Sequence, residues 1–347
     1  MQAVILAGGE GTRLRPLTLT IPKPAIQLVD RPFLRYMLDW LARHGVEDVV
    51  IASGFGAEAL EGALEDEAGA GPAISYVQEP EPLGTGGPLR LAADEGMLDE
   101  RFLVLNGDIL ADLNLGALMR AHVESGAIAT LALHPVDDPS AYGLVRTKMG
   151  GEVAEFLEKP DPGEVDTNEI SAGAYVIERR VLDLIPAGGM VSIEREVFPR
   201  LVGNGLYGHA LVDGYWMDIG TPERYLQASW DILEGRVRTE VPDRLGGAGP
   251  WLGADVTIGV QASIDARAVV ATGSEVGDGA SILSSVVLAG SRIGPGAVVS
   301  DSILAPGVRI GEGASIGPDA VIGEGARVEA GTELEAGARL APGELVS

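Results

Sequence analysis

The 347-residue sequence contains no cysteine, four histidines, and three lysines against 22 arginines. Without cysteine there are no disulfides and no thiolate metal sites. His44, His122, His134 and His209 are too scattered for a zinc set. Any metal is therefore expected to be hard and carboxylate-bound. Long apolar runs are also missing. The N-terminal run, residues 3–7, is too short for a signal-peptide core, has no basic segment before it, and is far from a membrane span, which predicts a cytoplasmic protein without membrane contact. Positive charge is scarce: the formal net charge is −26. A surface this acidic repels a phosphate backbone, so nucleic acid is excluded as a partner.

Apolar residues make up 46% and charged residues 22% of the chain, a composition suited to a soluble globular protein with room for two cored domains. The most informative stretch is residues 3–24, AVILAGGEGTRLRPLTLTIPKP. The apolar strand Val4, Ile5 and Leu6 runs into Gly8, Gly9 and Gly11, where the backbone can bend and bring N–H groups to anionic oxygens. Arg13, Arg15 and Lys23 supply charge. Neither a Walker loop nor the dinucleotide GxGxxG pattern is present. Two of the three lysines, Lys23 and Lys159, stand before prolines, which suggests positions that want a compact ammonium where the chain is stiff.

From residue 1 to about 235, short apolar strands alternate with amphipathic helices. This predicts an α/β, Rossmann-like, mostly parallel sheet with helices on both faces. FLRYMLDWLARHG at 33–45 reads as a helix ending at Gly45, DVVIAS at 48–53 and RFLVLN at 101–106 as strands, and 113–126 as a further helix. Residues 236–250 read as a linker. Beyond them the pattern changes. Aliphatic residues recur every six positions from Leu252 through Ile258, Ile264, Val270, Val276, Ile282 and Leu288, and again from Leu304 to Val346, with Ile293 and Val299 bridging two one-residue slips. A period of six fits neither a helix nor an isolated strand. It fits a β-helix with flat faces around a triangular coil, and seventeen such positions give between five and six coils over residues 251–347. Residues 251–347 contain no histidine, which argues against an acyltransferase base and for an assembly or regulatory module that makes homo-oligomers.

Several turns at strand ends carry chemistry. LNGD puts Asp108 after a buried strand, where a carboxylate can hold a divalent cation beside phosphates or simply cap a turn. Asp218, in GYWMDIGTPERY, could do the same or satisfy local donors. Together with Arg13 and Lys23, the pair would suit magnesium-assisted phosphoryl transfer. Glu158 and Lys159, in EFLEKPDP, could take sugar hydroxyls and a phosphate, or form an exposed ion pair. Gly84, Thr85, Gly86 and Gly87 open a helix where a base or phosphate could approach.

AGGEGTRLRPLT with Lys23-Pro24, EPLGTGGPL, LNGD, YGLV, FLEKP, ISAGAYV, SIEREVFP and WMDIGTP follow one another in the order seen in sugar-1-phosphate nucleotidyltransferases. The whole chain resembles that family, and it is most similar to the mannose-1-phosphate guanylyltransferase branch, which has an appended left-handed hexapeptide β-helix. The resemblance implies transfer of a nucleotidyl group from an NTP, with GTP favoured, to a sugar 1-phosphate. It implies nucleotide contacts at Leu6, Ala7, Gly8, Gly9, Gly11, Thr12 and Gly107, and a base pocket at Gln78, Gly84 and Thr85. Arg13 and Lys23 would act on the reacting phosphates, Asp108 and Asp218 would hold Mg²⁺, and Gly143, Glu158, Lys159 and Ser171 would bind the sugar phosphate. Two positions depart from the pattern: Ser171 stands where an asparagine is frequent, and Gly86 where alanine is. A glucose-1-phosphate thymidylyl- or uridylyltransferase is the alternative enzyme, and a regulatory homologue that binds NDP-sugar without turnover is the non-enzymatic one.

Overall fold

The computed structural model describes residues 1–54, 56–65 and 71–347. The chain divides into two compact units that interleave along the sequence. The first takes its described residues from 1–9, 37–57 and 68–216, the second from 10–36, 58–67 and 217–347. The segment carrying Arg13 and Lys23 is thus grouped with the C-terminal coils. No helix among the described residues is long and apolar enough to cross a membrane.

The first unit is built on a nine-stranded sheet. Its strands are β1 (Gln2–Leu6), β2 (Asp48–Ser53), β3 (Ala73–Gln78), β4 (Arg101–Asn106), β5 (Ala129–Pro135), β6 (Gly143–Thr147), β7 (Val153–Glu158), β8 (Glu169–Glu178) and β9 (Leu206–Ala210). The order β7-β6-β8-β4-β1-β2-β3 is parallel from β4 through β3, while β8 runs antiparallel to β4, β5 and β6, and β9 lies parallel to β5. The sheet is therefore parallel where β1 sits and mixed beyond β4. The buried strands read as continuous apolar runs because both faces are covered. Val4, Val50, Val104, Phe102, Leu131, Tyr175 and Phe198 share one core with Leu89 and Ala92 of the helix Gly87–Asp94. The helices lie where the periodicity places them: Phe33–Arg43, and Leu115–Ser125, whose Asn114 side chain accepts from Ala117 N–H while Gly126 closes it in the left-handed conformation.

In the second unit, Tyr225 of the helix Pro222–Leu233 is buried and its hydroxyl donates to the carbonyl of Gln27. The stretch expected as a linker holds a short helix, Val241–Leu245, whose Arg244 pairs with Asp30 at 3.1 Å. Three all-parallel sheets of six, six and five two- to three-residue strands then form a parallel β-helix. One rung column runs Leu252, Val270, Val287, Leu304, Ile322, Leu340. Val287, not Leu288, holds the third place, so the first slip falls between Ile282 and Val287. The corner there, with Ser284 in the left-handed conformation, is one residue shorter than the regular ones. The second slip, between Val299 and Leu304, has Asp301 in the same conformation.

The glycine that follows the aliphatic residue has a steric cause. A Cβ on Gly294 would stand 2.6 Å from Glu312 N, and one on Gly311 2.4 Å from Ala330 N, both backbone atoms of the next coil. At these corners the coils reach strand spacing only without that atom, whereas other corners carry a side chain at the same place, as at Asp265, Ala271, Leu283 and Glu329.

Candidate functional site

In the first unit, the loop after β1 is fixed by two backbone hydrogen bonds: Gly107 N–H donates to Leu6 O, and Ala7 N–H to Ala52 O, each at 2.8 Å. Leu6 and Gly107 are thereby brought together. A Cβ on Gly107 would lie 2.6 Å from Leu6 O, so the two strand ends approach this closely only with glycine there. Gly8 is equally tight, since its Cβ would meet Glu79 Oε1 at 2.2 Å, whereas Gly9 opens onto free space. Asp108 follows directly, half-buried at the end of β4.

Glu79 carries no role in the sequence reading. It is buried, its Oε2 accepts from Leu83 N–H at 3.0 Å, and burial pushes its pKa up. A buried carboxylate set against the glycine turn is a costly group to keep. The only signal for it in the sequence is its place directly after β3, one residue beyond the exposed Gln78.

The turn at Gly84 and Thr85 is tied to a distant motif. Gly84 adopts φ +75°, and a Cβ there would strike Val191 O at 2.5 Å. Thr85 Oγ1 donates to Glu194 Oε2 at 2.5 Å and accepts from Ile193 N–H at 3.0 Å, and Ser192 Oγ donates to the same carboxylate oxygen at 2.8 Å. Glu194 begins a π-helical turn with Ile193, and nothing in its spacing marks the link to Thr85, 109 residues away. The hydroxyl of Thr85 is committed to this brace.

A second cluster gathers around β6, β7 and β8. Gly143 and Glu158 face each other across the β6–β7 pair, and a Cβ on Gly143 would lie 3.1 Å from Glu158 Oε2. Burial raises the Glu158 pKa and the neighbouring Glu194 adds to this, while Lys159 and Arg195 oppose it. Lys159 sits in the left-handed region and its N–H donates to Tyr142 O at 3.0 Å. Tyr142 packs edge-on against Trp216 at 5.4 Å, His134 lies 5.9 Å from the same indole, and Trp216 Nε1 donates to Ala172 O at 2.8 Å. Beside Ala172, Ser171 stands at a register shift in β8, next to the buried Tyr175. An acid, a base, a hydroxyl and an aromatic wall thus share one neighbourhood, which suits a hydroxylated, phosphorylated ligand.

In the second unit, Gly11 caps the turn Thr12–Leu14 at φ +63°, with Thr18 Oγ1 donating to its carbonyl at 2.8 Å. A Cβ on Gly11 would press on the Lys23 side chain at 3.2 Å, so the glycine and the buried Lys23 are neighbours. Thr12 and Arg13 are exposed. Arg13 and Asp218 are brought together at Gly220, whose missing Cβ would stand 2.6 Å from Arg13 Nη2 and 2.9 Å from Asp218 Oδ2. Asp218 is also ion-paired with Arg224, a residue without a role in the sequence reading although it lies six positions on, in the first turn of the next helix. No group of three or more metal-ligating side chains occurs among the described residues.

Residues 2–235 match the Nucleotidyl transferase family, and residues 251–337 match the GMPPB C-terminal domain. The chain is 41% identical over 293 residues to mannose-1-phosphate guanylyltransferase of Mycobacterium tuberculosis, covering 82% of this chain and 79% of that protein. It is 37% identical over 292 residues to mannose-1-phosphate guanylyltransferase 1 of Arabidopsis thaliana, with the same coverage. Among solved structures, HddC from Yersinia pseudotuberculosis aligns with a TM-score of 0.58 and 28% identity over 67% of this chain and 99% of that one. Its complex with GMP-PN gives 0.58 and 27% over the same shares. The chain therefore belongs to the nucleotidyl transferase family, where it stands with the mannose-1-phosphate guanylyltransferases.

Proposed function

We propose that the protein transfers a guanylyl group from GTP to mannose 1-phosphate, giving GDP-mannose and pyrophosphate. What carries the reading is the likeness to relatives named for that activity over four-fifths of the chain. A phosphate oxygen of the sugar 1-phosphate forms the new bond to the α-phosphorus of GTP. The bond from that phosphorus to the bridging oxygen breaks in line, and pyrophosphate leaves. No covalent enzyme intermediate is needed.

The residues divide the work by chemistry. The backbone around Leu6, Ala7, Gly8, Gly9, Gly11, Thr12 and Gly107 offers N–H groups and close approach to the nucleotide. Arg13 stabilises the charge that develops at the α-phosphate, and the buried Lys23 steadies the phosphates. Gln78, Gly84 and Thr85 line the base, with Thr85 acting through the brace to Glu194 that fixes the turn. Glu158 accepts from sugar hydroxyls, Lys159 pairs with the sugar phosphate, and Gly143 and Ser171 leave room and a hydroxyl beside them.

Nucleotidyltransferases of this family are generally metal dependent. Mg²⁺ is the ion we propose, with Asp108 and Asp218 as its carboxylates. Mg²⁺ takes one or two protein carboxylates and completes its shell from substrate oxygens and water, a donor set these residues fit and a zinc or calcium cage would not. When bound, the ion neutralises phosphate charge. We further propose residues 1–235 as the catalytic region, 236–250 as its connection, and 251–347 as the part through which copies assemble in the cytoplasm.

The test is pyrophosphate release from GTP and mannose 1-phosphate by the purified full chain, with Mg²⁺ and with excess chelator. Turnover that requires the metal and is lost in Asp108→Asn with an unchanged melting curve is the expected result. Absence of turnover with every NTP and sugar phosphate would leave a binding protein instead.

A further inference from the structure

The three faces of the β-helix share one interior but present different outward columns. On the first face the outward positions are Trp251, Val269, Val286, Ile303, Val321 and Arg339, of which the four central aliphatics are fully buried. On the third they are Ser263, Ser281, Val298, Ser315 and Glu333. The second face is different: Thr257, Glu275, Arg292, Arg309, Arg327 and Leu345 follow one another on successive coils, all exposed.

Three arginines on consecutive strands of a parallel sheet stand about 4.8 Å apart, strand to strand. Like charges placed directly opposite one another destabilise a sheet. The surrounding composition makes the column more unusual. Residues 251–347 contain twelve acidic residues, no lysine and five arginines, and three of those five are in this column. Arg292 is partly compensated by Glu275 at 3.1 Å. Among the described residues, Arg309 and Arg327 have no ion-pair partner although acidic residues are plentiful on this domain. A groove of about 730 Å³ runs along the column, lined by all three arginines together with Glu275, Asp278, Glu329 and Leu345. That volume lies in the range of small-molecule sites.

We propose that this column is a binding site for an oligophosphate, meaning a small molecule with two or more linked phosphate groups, separate from the residues assigned to nucleotidyl transfer. A guanidinium grips phosphate oxygens with two parallel N–H donors, and a row of three presents more donors than one phosphate can use. A chain of phosphates can bridge Arg309 and Arg327 and relieve their mutual repulsion. An isologous interface with a second copy would instead bring the two arginine rows together, with Glu275, Asp278 and Glu329 of each copy to offset them. Binding at the column does not depend on the chain's reaction.

The experiment is calorimetric titration of the full chain at low salt with inorganic tripolyphosphate, with GTP and with ATP, comparing wild type with the double variant Arg309→Gln, Arg327→Gln. Wild type is expected to show a binding event that is weakened roughly a hundredfold in the variant, about tenfold for each guanidinium–phosphate pair removed. Pyrophosphate release from the usual substrates, measured on the same samples without added oligophosphate, is expected to be unchanged. Equal strength for the three ligands would identify the phosphate chain alone as what is read. A preference for one nucleotide within the event that the variant loses would add its base, and either result supports the site; GTP binding that survives in the variant belongs to the transfer site.

Without oligophosphate the variant is expected to melt no lower than wild type, and tripolyphosphate is expected to raise the melting temperature of wild type more than that of the variant. The charge-conserving variant Arg309→Lys, Arg327→Lys, which loses the planar fork, is expected to bind with intermediate strength. Identical isotherms for wild type and the glutamine variant would overturn the proposal. So would unchanged oligophosphate binding accompanied by a shift in oligomer mass by light scattering, which would make the column an interface between copies.

Discussion

The β-helix solves one packing problem on each of its seventeen strands, whereas the sheet of the first unit solves a different one at every strand end. In the coils an inward aliphatic recurs on every strand, followed at seven corners by a glycine, while the outward position changes from face to face. At the ends of β1, β3, β4 and β7, each contact is of a different kind. Gly8 meets Glu79, Thr85 meets Glu194, and Gly143 meets Glu158. Repetition leaves one column free to differ per face, and irregularity is what lets several unlike groups gather in one place.

The sharpest way to separate the two regions is to remove a charge from one and bulk from the other. Arg13→Ala is expected to lower kcat about a hundredfold or more, the effect of deleting one transition-state donor, with no change in melting temperature. Ile310→Ala is expected to do the reverse. Its side chain is buried between coils, so the loss is about 3 kcal/mol of stability by denaturant unfolding, with kcat kept below the transition. Ile258→Ala, at the 45% exposed open end of the same column, should cost far less, and equal costs at both positions would break the picture of a core that builds inward from the ends.

Much of this is legible in the sequence, for a physical reason. The six-residue period, the two slips and the number of coils follow from sterics that act on each residue separately, so they print directly into the sequence. Only the placement of the first slip differs: Val287, not Leu288, pairs with Val270 and Leu304. In the first unit the glycines, Asp108, Glu158 and Lys159 are visible as residue types at strand ends. Their partners are not. Glu79 looks like any glutamate before a proline, and Glu194 and Arg224 acquire meaning only when Thr85 and Asp218 are folded against them. The mixed β8 half of the sheet is likewise hidden, since an antiparallel strand buried on both faces reads like a parallel one.

Adding a single methyl group compares the regions on equal terms. Gly294→Ala collides with the next coil's backbone and Gly107→Ala with Leu6 O, and each should cost about 1–3 kcal/mol. The first should leave turnover intact below its transition, while the second should lower kcat because it separates the ends of β1 and β4. Thermal melts and steady-state rates on both variants check this.

The smallest effects concern acid. Glu158 has a raised pKa, so its carboxylate form is lost as pH falls through a value above the ordinary one. KM for the sugar 1-phosphate should rise on the acid side earlier than an unperturbed glutamate would allow, and Glu158→Gln should flatten that limb. For Glu79 the sign concerns stability. Its folded pKa is raised, so the ionised form costs stability above that pKa and the cost fades as pH falls through it. Glu79→Gln should therefore melt higher than wild type at neutral pH, with the gap closing in acid. A constant gap across pH would refute the assignment.

The central claim is the pairing of base and sugar, and it is tested most directly by kcat/KM for pyrophosphate release across five NTPs and the 1-phosphates of mannose, glucose, galactose and heptose. GTP with mannose 1-phosphate is expected to exceed every other pair by at least about tenfold, the discrimination one well-placed polar group supplies. A lead for dTTP or UTP with glucose 1-phosphate would contradict it.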